Sequence, residues 1–127
     1  MAAGGFAALD PEQTVSLTTF RRSGEGVATP LWFVRDGDVL FMRTIARSGK
    51  VKRLRNDDRV TLAPCTWEGE ITGAAVEGRG RVLAEDDPRC LRANALLDAK
   101  YGEERAKMTR MMEEQSEPLL YLELRPR

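Results

Sequence analysis

Hydrophobic and polar residues alternate along much of the chain, and this period of two is typical of β-strands. The alternation is regular around Val15 and Leu17, and again around Leu120 and Leu122 near the other end. Six segments that alternate or are mainly apolar predict six strands: Thr14 to Arg21, Val27 to Val34, Val39 to Ile45, Val60 to Thr66, Ala74 to Leu83 and Leu119 to Arg125.

Two features of these segments predict departures from a flat, regular sheet. Pro30 lies inside the second segment. Because proline has no backbone N–H, that strand is predicted to lie at a sheet edge or to carry a bulge. Gly78 and Gly80 fall on the inward side of the fifth segment, which predicts a sharply bent strand of the kind found at barrel corners.

Three helical segments lie between the strands. Lys50 to Asn56 carries apolar residues at helical spacing, and Asp87 followed by proline begins a second helix that ends at Gly102. A charge-rich segment with methionines at helical spacing continues to about Glu114. The order of elements predicts a mainly β fold, a six-stranded antiparallel barrel with one short inserted helix and two helices before the last strand.

Composition limits the possible functions. The 127 residues predict a single domain over residues 1–127, with 1–12 as a flexible or peripheral N-terminus. Lys plus Arg equals Asp plus Glu at 20 each, so an anion site requires local segregation of charge. The absence of histidine excludes Ser-His-Asp and Cys-His catalysis and Cys/His zinc fingers, and the 2 cysteines cannot form a four-cysteine metal site. No metal is predicted. Without a secretory signal or a membrane-spanning segment, we predict a cytoplasmic protein that does not bind membranes.

The main local segregation of charge lies between Arg43 and Asn56. This stretch contains no acidic residue and six cations: Arg43, Arg47, Lys50, Lys52, Arg53 and Arg55. Thr44, Ser48 and the Gly49 backbone add neutral donors at the start of a predicted helix, where free N–H groups and the helix dipole favour anions. The segment therefore predicts a phosphate site, and a solvated basic face is the alternative. Nucleic acid is not predicted as a ligand, because aromatic residues make up only 6% of the chain.

Four stretches resemble the pyridoxamine 5′-phosphate oxidase-like family of flavin- and deazaflavin-binding split barrels. Their order and spacing resemble the branch that uses the deazaflavin coenzyme F420. The stretches are Ser16 to Arg21, Thr29 to Phe33, Thr44 with Ser48 to Arg55, and Val60 to Cys65. The resemblance covers about residues 14 to 83 and implies a split β-barrel that forms a homodimer with cofactor sites at the interface.

The resemblance also implies roles for particular residues. Thr44, Ser48, Gly49, Lys50 and Arg53 would hold the cofactor phosphate. Five further residues would line or adjoin its ring: Pro30, Leu31, Trp32, Met42 and Arg43. The other cations of the basic segment, Arg47, Lys52 and Arg55, would be available to an acidic cofactor tail. Cys65 would lie near the ring or in the core, and its residue type favours the core, as does that of Trp32.

The implied function is transfer of a hydride between coenzyme F420 and an unsaturated small-molecule substrate, with no catalytic residue assigned. Where members of this branch carry basic residues after the cysteine, this chain has Glu68 and Glu70, which would repel a polyanionic tail. An FMN-binding oxidase or reductase of the same superfamily is therefore the alternative. A cofactor-binding protein without turnover, serving as a carrier or sensor, is another class, and a nucleic-acid-binding barrel is the third.

Overall fold

The computed structural model describes residues 14–114 and 118–126, together with Phe6 and Leu9. Phe6 and Leu9 are buried in the main core, so the peripheral position expected for residues 1–12 does not apply to these two side chains. The Phe6 ring packs over Gly78, where an added Cβ atom would lie 3.0 Å from it. The other residues of 1–12 lie outside the described part of the chain.

The described residues form one antiparallel sheet of 7 strands in the order β2-β1-β5-β6-β7-β4-β3. The strands are β1 (Val15–Phe20), β2 (Gly26–Leu31), β3 (Val34–Asp36), β4 (Val39–Ile45), β5 (Arg59–Pro64), β6 (Val76–Val82) and β7 (Leu119–Pro126). Since β2 and β3 are consecutive in the chain yet lie at opposite ends of this order, the sheet curls back on itself. The predicted mainly β split barrel is confirmed.

The strand count differs from the prediction because the second predicted strand, Val27 to Val34, is broken into β2 and β3. At the break, the Phe33 N–H donates to the hydroxyl oxygen of Tyr101 at 2.9 Å. That hydroxyl donates in turn to the Phe33 carbonyl oxygen at 2.8 Å. A side chain therefore satisfies the backbone groups that a neighbouring strand would otherwise bind. As Pro30 predicted, β2 is an edge strand of the described sheet.

The inward faces of the strands form the main core. Val15 and Leu17 of β1 are at most 1% exposed, and Leu122 and Leu124 of β7 are fully buried. Burial of each such side chain contributes about 1.5–3 kcal/mol. Gly78 and Gly80 also face inward, as predicted. A Cβ atom on Gly78 would lie 2.6 Å from the carbonyl oxygen of Arg125, and one on Gly80 would lie 3.1 Å from the Leu124 side chain. The glycines therefore allow β6 and β7 to pack closely.

Three helices occur in the described residues: α1 (Gly49–Asn56), α2 (Arg89–Tyr101) and α3 (Glu103–Glu114). α1 buries Val51 and Leu54, the two residues that have helical spacing in the sequence. α2 follows Asp87, whose carboxylate accepts the Arg89 N–H at 2.9 Å. It ends at Gly102, whose φ of 58° is one that glycine adopts readily. All three helical predictions are confirmed.

α2 packs against the outer face of β3 and β4 and forms a second core there. This second core consists of Val34, Phe41, Leu83, Ala93, Leu97 and Tyr101. It lies beside the break between β2 and β3, because Tyr101 belongs to both. None of the described helices is both long enough and apolar enough to span a membrane.

Candidate functional site

The end of β4 and the start of α1 bring two hydroxyl groups together. Thr44 is buried near the end of β4, and its Oγ1 atom lies 3.4 Å from Oγ of Ser48. Ser48 is the N-cap residue of α1, but its side chain makes no capping hydrogen bond. Both hydroxyls therefore lie at the positive end of the helix dipole, where the oxygen atoms of an anion are favoured.

Arg53 is held at the same junction by two features of the fold. Its Nε donates to Oγ1 of Thr19, which is fully buried on β1, at 2.6 Å. Its guanidinium also folds back over Gly49, since a Cβ atom at that position would lie 2.6 Å from Nη1 of Arg53. The missing side chain of Gly49 thus provides the space in which the Arg53 charge lies beside the first turn of α1.

The cations at this junction repel one another. Burial, and then the charge of Arg53, lower the pKa of Lys50 below its ordinary value. Burial, and then the charge of Arg21, lower the pKa of Arg53. Neither Lys50 nor Arg53 has a carboxylate partner among the residues that the structure describes. An oxyanion bound between them would offset this repulsion, so the junction favours one electrostatically.

The other cations of the basic segment lie outside the β4–α1 junction. Arg47, Lys52 and Arg55 are exposed. Lys52 also lines a cleft of about 310 Å³ beside α1, which Arg53 connects to the junction. This cleft is lined by Phe20, Arg21, Arg22, Lys52, Arg53 and Asn56. The sequence pattern assigned no role to Thr19, Arg21 or Arg22. The signal was present, since Thr19 and Arg21 lie in the first of the four stretches that carry the family resemblance.

An aromatic cleft opens where β2 ends. The Trp32 and Tyr101 rings stack with centroids 4.6 Å apart and planes 9° apart, and the Trp67 ring centroid lies 6.1 Å from that of Trp32. Trp32 also packs against the second core, so it serves both the core and the cleft. The cleft has a volume of about 640 Å³ and is lined by Thr14, Trp32, Trp67, Lys100, Tyr101, Glu104 and Met108.

The position of Trp32 depends on its neighbour Phe33. The Phe33 carbonyl oxygen accepts from Nζ of Lys100 at 3.0 Å as well as from Tyr101. The Lys100 ammonium also lies 3.6 Å from the centroid of the Phe33 ring. Burial raises the pKa of Tyr101 to about 12, so its hydroxyl keeps the proton that it donates at neutral pH. Lys100 and Tyr101 therefore hold the backbone next to the aromatic wall.

A smaller pocket of about 90 Å³ adjoins the aromatic cleft, with which it shares three residues. It is lined by Leu31, Trp32, Arg43, Trp67, Leu97, Arg105 and Met108. Three of the residues that the resemblance assigns to the cofactor ring, Leu31, Trp32 and Arg43, are thus brought together. Burial, and then the charge of Arg105, lower the pKa of Arg43, so two cations meet in a mainly apolar pocket.

A hydrogen-bond network orients these two arginines. Arg105, which is 3% exposed, pairs with the carboxylate of Asp98, and its Nη2 donates to the Tyr121 hydroxyl oxygen at 3.1 Å. The Tyr121 hydroxyl donates to Oδ1 of Asn94 at 2.9 Å and also interacts with Arg43. The exposed carboxylate of Asp98 is the counter-charge of Arg105. The charge of Arg43 therefore leaves the pocket with an excess of positive charge, which suits an anionic group.

Three other residues that the resemblance placed at or near the cofactor ring line neither the aromatic cleft nor the smaller pocket. Met42 is fully buried in the main core, so its side chain reaches neither the junction nor the cleft. Pro30 pairs with Ser16 on the outer face of the sheet. Cys65 is 6% exposed, and burial raises the pKa of its thiol, in agreement with a core position. Within residues 14–114 and 118–126, no cluster of three or more metal-binding side chains occurs.

Solved structures of several proteins share this fold. HutZ, the heme storage protein of Vibrio cholerae, superposes with a TM-score of 0.69 at 14% identity, over 91% of this chain and 82% of that one. An FAD-binding protein of Mesorhizobium loti gives 0.64 at 13% identity, over 93% and 82% of the two chains. An F420 reductase gives 0.59 at 18% identity, over 98% and 94%. At these identities the likeness concerns the fold.

Sequence comparison identifies the family. No curated protein sequence matches the chain significantly. The family model of pyridoxamine 5′-phosphate oxidase, in contrast, matches residues 6–126, which include the whole described sheet and all three described helices. On this match, the chain belongs to the pyridoxamine 5′-phosphate oxidase family.

Proposed function

We propose that this protein binds the deazaflavin coenzyme F420 and transfers a hydride between the cofactor and an unsaturated organic substrate. The observation that carries the proposal is the β4–α1 junction, where Thr44, Ser48, Lys50 and Arg53 converge without a described carboxylate partner. Membership of the family supports redox chemistry on a flavin-type cofactor. An F420 reductase with the same fold supports the choice of the deazaflavin.

The residues of the junction fit a cofactor phosphate. Two hydroxyls, an ammonium and a guanidinium supply donors from one strand end and one helical turn, and Gly49 leaves the space for the guanidinium. Charge-assisted hydrogen bonds of this kind are the strong ones in proteins. A bound deazaflavin or flavin ring would supply the hydride chemistry itself. The chain then needs no histidine and no catalytic acid or base, and its task is to bind, orient and exclude water.

The aromatic cleft supports binding of a small-molecule substrate beside the cofactor. Trp32 and Trp67 give it flat apolar walls, which suit an unsaturated, planar compound. The adjoining pocket with Arg43 and Arg105 would hold an anionic group of the substrate or stabilise negative charge that develops on it. These side chains act by position and charge, and none is assigned as a proton donor.

FMN is the second candidate cofactor, and one observation favours it. Glu68 and Glu70 are exposed in the loop directly after Trp67, which lines the cleft. Their charges would oppose the acidic tail of the deazaflavin coenzyme more than they would oppose FMN, which carries only its phosphate. Under this alternative the same junction holds the FMN phosphate, and the protein is an FMN-binding oxidase or reductase or a carrier without turnover.

We also propose that two copies of the chain form a homodimer with the cofactor sites at their interface. The exposure of Trp67 and Ile71, at 54% and 53%, supports a partner on this side of the molecule. Size-exclusion chromatography with light scattering measures the mass directly, and a monomeric mass would rule the dimer out. Both cysteines are free thiols, in keeping with the cytoplasmic location that we propose.

The cofactor proposal is tested with the double variant Lys50→Ala and Arg53→Ala. Each charge-assisted contact to a phosphate contributes on the order of 1.5–3 kcal/mol. We therefore expect the dissociation constant for the cofactor, measured by fluorescence titration, to rise by more than about tenfold. Circular dichroism should show an unchanged fold. A single-turnover assay of hydride transfer from reduced F420 to a panel of enones and quinones then separates an enzyme from a carrier.

The matched control is the double variant Lys107→Ala and Arg110→Ala, which also removes two cations but from exposed positions on α3, outside the basic segment. It should bind the cofactor as the wild type does. Equal weakening in both double variants would mean that only net charge matters, and would contradict the phosphate site. Failure of the wild-type protein to bind either F420 or FMN would overturn the proposed function as a whole.

A further inference from the structure

A buried carboxylate on the outer face of the barrel is surrounded by arginines. Glu123 of β7 is 2% exposed. Its Oε1 accepts from Nε of Arg81 at 2.9 Å and from Nε of Arg125 at 3.2 Å, and its Oε2 accepts from Nη1 of Arg89 at 3.0 Å. Arg89 has a second carboxylate, that of Asp87, at 2.6 Å. Arg81 and Arg125, in contrast, pair with no described carboxylate other than Glu123.

Arg81 and Arg125 keep most of their donors unused. Each spends only Nε on Glu123, and within the described part of the chain no acceptor is bonded to the terminal nitrogens of either guanidinium. Both side chains are more than half exposed and line a recess of about 400 Å³. The full lining is Asp58, Arg79, Gly80, Arg81, Glu123 and Arg125. Glu123 thus fixes two guanidinium groups whose outer edges face the recess.

The strand register brings a further cation to this recess. Arg79 of β6 is directly opposite Arg125 of β7 and also directly opposite Arg59 of β5. Like charges at directly opposed positions of antiparallel strands are destabilising. Asp58 pairs with Arg79 at 2.6 Å, and Asp57 pairs with Arg59 at 3.0 Å. The recess itself is lined by three arginines and two carboxylates, one of which is shared with Arg89, so positive charge is in excess.

We propose that this recess binds the phosphate group of a small molecule or free inorganic phosphate. Guanidinium groups present planar pairs of N–H donors that match the oxygen atoms of phosphate, and here two of them are oriented in advance by one buried carboxylate. The recess shares no lining residue with the β4–α1 junction or with the aromatic cleft. It is therefore a second anion site, and its existence does not depend on the cofactor proposal.

The test is a titration of the ¹⁵N-labelled protein at low salt with inorganic phosphate and, separately, with ribose 5-phosphate. Saturable shifts of the backbone amide signals of Gly80, Arg81 and Arg125 are expected. Tighter binding of ribose 5-phosphate would identify a phosphorylated small molecule as the ligand, and equal binding would identify phosphate itself. The amides of Gly49 and Lys50 report separately on the β4–α1 junction in the same spectra.

The double variant Arg81→Gln and Arg125→Gln should weaken binding in the recess about tenfold or more. It should leave the response of the Gly49 and Lys50 amides unchanged. The control variant, Arg92→Gln with Arg110→Gln, removes two other exposed arginines and should bind phosphate like the wild type. Glu123 is not mutated, because a change at this buried position could disturb the fold. Absence of saturable shifts in the recess, or equal binding by both double variants, would show that the arginines form only a salt-bridge network and would overturn the proposal.

Discussion

Replacing Tyr101 by Phe removes one oxygen atom and tests why the second predicted strand is broken. The hydroxyl accepts from the Phe33 N–H at 2.9 Å and donates to the Phe33 carbonyl oxygen at 2.8 Å. Phe33 is fully buried, so water cannot replace these contacts readily. The carbonyl oxygen keeps Lys100 as a donor at 3.0 Å, but the N–H loses its partner. Loss of one hydrogen bond costs about 1 kcal/mol and an unsatisfied buried N–H about 1–2 kcal/mol more, so we expect a destabilisation of about 2–3 kcal/mol.

The assay is urea unfolding followed by circular dichroism, with hydrogen exchange of the Phe33 amide as a local measure. Tyr121→Phe is the matched control, because it makes the same chemical change at a hydroxyl that bonds Arg105 and Asn94 in a half-buried site. Its cost should be smaller, about 1 kcal/mol. If Tyr101→Phe costs no more than Tyr121→Phe, or if the Phe33 amide stays protected, the hydroxyl is not what holds the strand break.

Three further predictions concern the glycines and the charge of Lys50. Gly78→Ala should lower the free energy of unfolding by about 1–3 kcal/mol, because its Cβ would lie 2.6 Å from the Arg125 carbonyl oxygen; unchanged urea unfolding would contradict this packing. Gly49→Ala meets only the flexible end of Arg53, so stability should change by less than about 1 kcal/mol, while cofactor affinity in a fluorescence titration should fall several-fold. Because the pKa of Lys50 lies below its ordinary 10.5, affinity should decline as pH rises, starting below that value, and Lys50→Arg should move the decline to higher pH; a pH-independent affinity would exclude this lysine.

The barrel strands and the basic junction could be predicted because the residues that define them are close in sequence. Alternation within six to eight residues is enough to identify a strand, and two glycines on one side of β6 indicate its bend. The junction from Thr44 to Arg53 is likewise a single local segment with a strand end, a helix start and clustered charge. Local pattern and local electrostatics were sufficient in both cases.

The strand break and the aromatic cleft could not be predicted, because both depend on residues far apart in the sequence. The hydrogen bond between Phe33 and Tyr101 joins positions 68 apart. The cleft and its small pocket combine Trp32 with Trp67 and with Arg105, which come from three separate parts of the chain. Met42 shows that closeness in sequence is not sufficient either. It is next to Arg43 in the chain, but its side chain faces the core, on the opposite side of β4 from Arg43.

The most direct test of the cofactor site is an absorbance spectrum. The protein is mixed separately with F420 and with FMN, passed through a desalting column and scanned for retained cofactor. We expect about one equivalent of F420 per chain to remain with the wild-type protein and none to remain with the Lys50→Ala, Arg53→Ala double variant. Retention of FMN in place of F420 would identify FMN, the second candidate, as the cofactor of this site. Retention of neither, or equal retention by the double variant, would contradict the account of the β4–α1 junction as a phosphate-binding site.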